Sequence, residues 1–102
     1  MVPTLIPTTV VQNLTTSGTH AESTAIAGAE TLATTTVRLC CTADSWYLLS
    51  PGGTAATSSN AALLPAGVVE YIRVPNMWII SAVQVSSGGT FNIVTAADIT
   101  TP

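Results

Sequence analysis

Few residues of this chain could do chemistry. His20 is the one histidine, and it follows the turn Ser17-Gly18-Thr19. A Cys40–His20 nucleophile pair would need an exposed thiol and a third group to orient the imidazole, and no such group is evident. Cys40 and Cys41 are neighbours, so on a strand they point to opposite faces and are badly placed to bond each other. The carboxylates are Glu22, Glu30, Asp44, Glu70 and Asp98, too scattered for paired acid–base work. Gly52-Gly53 and Gly88-Gly89 lack the lysine and helix start of a phosphate loop. The residues therefore predict no catalytic group, no cofactor and no metal set, and hence no enzyme.

The aromatic side chains offer contact chemistry instead. Trp46 and Tyr47 are adjacent, so one must face away from the core unless both sheet faces are covered. Trp78 starts the most apolar segment. An outward ring would serve as an interface anchor. It could also form a sugar-stacking platform, and a carbohydrate-binding module is the alternative from another functional class. Together with Pro3, Leu5, Ile6 and Pro7 near the N-terminus, these three rings are the candidate interface residues.

Composition says what must position them. Thr is the commonest residue, with 18 copies, and 10 Val stand beside 8 Leu, which favours strands because β-branched side chains suit a pleated surface. Only 7% of the residues are charged, against roughly 25% in an average domain. Lysine is absent, and Arg38 and Arg73 are the only basic side chains besides His20. A net charge of −3 opposes binding to nucleic acid or to an anionic membrane. No run reaches the ~18 apolar residues of a membrane-spanning helix, and the N-terminus lacks a secretory signal pattern. The expectation is a protein that stays in the cytoplasm where it is made until it is assembled. A surface so poor in charge suits a subunit covered by other chains.

Along the chain, Pro3 and Pro7 make residues 1–9 read as an extended arm. Strands are expected at 10–16, 34–42, 45–50, 68–74, 77–85 and 90–95, with 96–102 as a tail; 21–27 reads as a strand, although its alanines also permit a short helix. The 34–42 segment alternates, with Val37, Leu39 and Cys41 on one face and Arg38 and Cys40 on the other. Residues 68–74 carry apolar side chains on both faces and read as a strand covered on both sides. Ser86-Ser87-Gly88-Gly89 reads as a hairpin loop, and 51–62 as a long loop that is either mobile or a contact loop. The sum is a single-domain all-β protein, a jelly-roll-like β-sandwich or small barrel of about seven to eight short antiparallel strands.

Four segments carry a resemblance: Thr42-Ala43-Asp44, the run Ser50-Pro51-Gly52-Gly53-Thr54-Ala55-Ala56-Thr57, the run Leu63–Tyr71, and Gly88-Gly89-Thr90-Phe91-Asn92-Ile93. Over about half of the chain, this pattern of turns and hydrophobics resembles small virion structural proteins of tailed bacteriophages. Capsid decoration (cement) proteins are the nearest role. The resemblance implies a β-rich virion component on the capsid exterior. Its partner would be the major capsid protein or another virion protein, and it would form a homo-oligomer, of which a trimer is favoured. The arm and the 51–62 loop would make the contacts. A neck, tail or fibre-attachment protein is the alternative within the virion. The resemblance brings no functional residues with it.

Overall fold

A computed structural model describes residues 5–26 and 34–98, with side chains placed for 12–26 and 35–96. Eight strands form, and no helix is found among the described residues: β1 Leu5–Thr15, β2 Ala21–Glu22, β3 Thr34–Cys41, β4 Ser45–Ser50, β5 Ala62–Leu64, β6 Glu70–Pro75, β7 Ile79–Gln84 and β8 Thr90–Asp98. They make two four-stranded antiparallel sheets. Sheet A has the order β1-β8-β3-β6 and sheet B the order β2-β7-β4-β5. First pairs with last, second with seventh, third with sixth and fourth with fifth. That nested pairing is the jelly roll: one long ribbon of strand pairs folded over into a sandwich.

Alternation decides what fills the space between the sheets. Val37, Leu39 and Cys41 face inward from β3, opposite Phe91 and Ile93 of β8. Tyr47, Ile80, Ala82 and Leu64 close over them from sheet B. Phe91 is fully buried, and its ring centre lies 5.8 Å from that of Tyr47, tilted by 48°. This is the edge-inclined geometry that aromatic quadrupoles prefer. The Tyr47 hydroxyl donates to Glu70 Oε1 at 2.5 Å, tying β4 of one sheet to β6 of the other.

Four expectations change. The arm and the tail are largely one ladder: β1 begins at Leu5, and Leu5–Pro7 pair with Ala96–Asp98 of β8. Pro7 is tolerated because β1 is an edge strand, where a missing N–H need cost no ladder bond. Residues 1–4 and 99–102 lie outside the described residues. In the 21–27 segment only Ala21–Glu22 form a strand, although Ser23 and Ile26 still donate to the carbonyls of Ile80 and Trp78. Residue 27 is outside the described range.

The Ser86–Gly89 segment is not a hairpin. It carries the chain from β7 in sheet B to β8 in sheet A. Glycine is needed there because the chain passes close to its neighbours: a Cβ on Gly88 would sit 2.4 Å from the Thr16 carbonyl oxygen. Lastly, β6 is an edge strand and its outer face is open, with Tyr71 and Arg73 exposed, so it is not covered on both sides within one chain.

Candidate functional site

Among the described residues, the outer face of sheet B holds one grouping of chemically capable side chains. β2 and β7 pair Glu22 with Ser81, and His20 stands just ahead of β2. His20 Nδ1 lies 3.3 Å from Ser81 Oγ and 3.6 Å from Glu22 Oε1. A serine, a histidine and a carboxylate thus meet, which the sequence reading missed because 61 residues separate His20 from Ser81.

The geometry is not that of a nucleophilic relay. Such a relay needs the carboxylate on one ring nitrogen and the hydroxyl on the other. Here both neighbours share Nδ1. Ser81 is also fully buried, and its oxygen is occupied: it accepts the Ala56 N–H at 2.9 Å. The hydroxyl serves the fold by holding down the 51–61 loop.

That loop is tied down at Thr54 and Ala56 and bonded within itself beyond them. Ser50 Oγ accepts the Thr54 N–H at 2.7 Å, and Asn60 Oδ1 accepts the Thr57 N–H at 2.7 Å. Ala56, in the middle of the loop, is buried. Gly53 adopts φ 77, and a Cβ there would approach Glu22 Oε2 to 2.9 Å. The loop is therefore anchored to its own sheet at Ala56, while Thr57, Ser58, Ser59 and Asn60 remain exposed.

Ser81→Ala would leave the buried Ala56 N–H without an acceptor, at a cost of about 1–3 kcal/mol. Amide exchange at residues 54–57 should speed up more than exchange within β4. Unchanged protection would show that other contacts hold the loop.

The cysteines are separated from this grouping. Cys41 is buried and free, and its thiol lies 3.2 Å from the Leu64 carbonyl, positioned to donate to it. Burial pushes the Cys41 thiol up from its ordinary range, which keeps it protonated. Cys40 faces outward from sheet A opposite Asn92, whereas His20 lies over the outer face of sheet B. Two sheets stand about 10 Å apart, so the Cys40–His20 pair cannot form. Among the described residues no three His, Cys, Asp or Glu side chains come together as a metal set.

The candidate interface residues fall into three groups. Pro3 lies outside the described residues, and Leu5, Ile6 and Pro7 are placed by backbone alone, in the β1–β8 ladder. Tyr47 is a correction: it is a core residue, 6% exposed, and it cannot anchor a partner. Burial, reinforced by the Glu70 carboxylate, raises its phenol well above the ordinary range. Trp46 takes the outward position that alternation requires. It lies half-buried in a row with Leu63 of β5 and Val83 of β7. Trp78 packs against the core cluster. The rings thus lie on opposite faces of sheet B and make no common platform for a sugar.

Among the described residues, six large apolar side chains are more than two-fifths exposed: Leu63, Val68, Val69, Tyr71, Met77 and Val85. The sequence reading named none of them as interface residues. Three of the six, Val68, Val69 and Tyr71, lie on β6 or in the two positions leading into it. Compared with protein-family models, curated proteins and solved structures, the chain matches none.

Proposed function

We propose that this protein is a non-enzymatic structural component of a tailed-phage virion. Its best-supported role is that of a capsid decoration protein, which binds the outer shell and stabilises contacts between capsomers. Its partner is then the major capsid protein or another virion protein, and copies of the chain associate with one another. The observation that carries this reading is the surface. Large apolar side chains stand exposed on a chain with only 7% charged residues. Such a surface favours association over life as a free monomer. The resemblance of the 42–93 segments to phage virion proteins supplies the setting. The jelly roll is compatible with it, although the same fold serves lectins and cupins and does not by itself assign a role.

The test is native mass spectrometry of purified particles, with copy number. Hundreds of copies per particle are expected for decoration. A dozen or fewer would move the chain to the neck or tail, and its absence from particles would overturn the reading.

A further inference from the structure

A β-sandwich must manage its sheet edges, because an open edge is a template for another strand. Among the described residues this chain has four edges. β1 is blunted by Pro7 and by register breaks between Pro7 and Thr9 and between Val10 and Gln12. β2 has two residues and β5 has three. β6 is different. Its six residues pair with β3 in one unbroken register, Thr34↔Pro75 through Leu39↔Glu70, and no proline occurs before its last position. No described turn or loop makes a backbone hydrogen bond to Glu70–Val74.

The side chains beside this edge are equally distinctive. Arg38 is paired opposite Tyr71, and Arg73 opposite Thr36, so both arginines of the chain lie on the outer face of sheet A next to the open edge. Neither makes an ion pair among the described residues. Glu70 is turned the other way, toward the Tyr47 hydroxyl. Tyr71 is exposed, opposite Arg38 and two residues before Arg73 on the same face, and Val68 and Val69 are exposed just before the strand.

We infer that β6 is the docking edge of this protein, and that its occupant is an extended acidic segment of a different chain, added as a fifth strand to sheet A. Main-chain bonds supply the pairing, and carboxylates on alternate residues meet Arg38 and Arg73. Charge decides against the other occupants. Pairing β6 with β6 of a second copy would gather four guanidinium groups on one continuous face, while Glu70, the carboxylate of β6, points to the opposite face. The N-terminal residues Met-Val-Pro-Thr of another copy carry no carboxylate, and their proline cannot donate to a ladder. This deepens the proposed function by naming a contact edge and the chemistry it takes. It rests on that reading only for the source of the strand.

The test pans the intact protein against a displayed library of random linear peptides of about nine residues, enough to run the length of the strand. The expected winners carry Asp or Glu on alternate positions, and their synthetic forms slow amide exchange within Tyr71–Val74. Methylating alternate peptide nitrogens on the pairing edge should abolish binding to the unaltered protein. The double variant Arg38→Glu, Arg73→Glu, at sites that are exposed or half-exposed, should weaken these peptides about tenfold. Raised salt should act in the same direction. Winners without acidic enrichment, protection elsewhere on the surface, or no selected peptide would overturn the inference. Absence of the chain from particles would sink the proposed function and leave the peptide map standing, so the two failures are distinguishable.

Discussion

Phe91→Ala should lower the free energy of unfolding by about 3–5 kcal/mol, the largest loss expected from truncating a core side chain of this molecule. Phe91 is fully buried, is the only phenylalanine, and sits in β8 between β1 and β3. Its ring reaches the Tyr47 ring of the opposing sheet. Around it the core is built from Val, Ile, Leu and Ala, which are too small to collapse into the space that a lost ring leaves. A domain of this size has about 5–15 kcal/mol of stability in all, so the variant should sit near its unfolding threshold. Urea melts followed by far-ultraviolet circular dichroism would measure the loss. Phe91→Leu, which keeps most of the volume, should cost less than half as much. A loss below about 1 kcal/mol for the alanine variant would mean that the sheets are not held together through this ring.

Gly88→Ala should be the second most damaging change, at about 3 kcal/mol, the upper range for an overpacked site. The added methyl would meet the Thr16 carbonyl oxygen at 2.4 Å, and that contact is backbone, which cannot swing aside. The strain falls on a join. Thr16 N–H donates to the Gly89 carbonyl at 2.8 Å, and Gly89 N–H donates to Thr16 Oγ1 at 2.8 Å. These bonds fasten the end of β1 to the start of β8, and so to the outermost pair of the nested strands. Gly52→Ala is the control: nothing lies within 4 Å of a Cβ there, and the substitution should be neutral or slightly stabilising. Paired thermal melts would decide. Equal midpoints for the two variants would show that the 85–89 crossing has slack.

Local pattern made much of the fold legible. Alternation placed β3 and β4 closely, because Val37, Leu39 and Cys41 repeat every second residue and Ser45–Ser50 is bounded by a corner on one side and Pro51-Gly52-Gly53 on the other. The same alternation required one of Trp46 and Tyr47 to face outward. Choosing which one took the opposing sheet, since Tyr47 turns inward to Phe91 and Glu70. The proline-bearing arm was misread because Pro7 reports extended backbone equally well for a free segment and for an edge strand. The candidate site was less legible. Ser81 reads as one more small polar residue in a strand, and only the fold sets it beneath Ala56 and beside His20.

What the sequence determined by itself is the material: strand-forming residues in short alternating runs, very little charge, and few groups that can titrate or attack. These follow from residue type and from the two-residue period of a strand, which are local. What only the tertiary structure decided is pairing. Three of the four nested strand pairs join segments that are not neighbours along the chain, and consecutive strands mostly cross from one sheet to the other. Partners are chosen by which apolar faces close over one core, a condition on the whole chain at once. That choice made Gly88 a crossing point, strapped the 51–61 loop to Ser81, and left β6, with both arginines beside it, as the open edge.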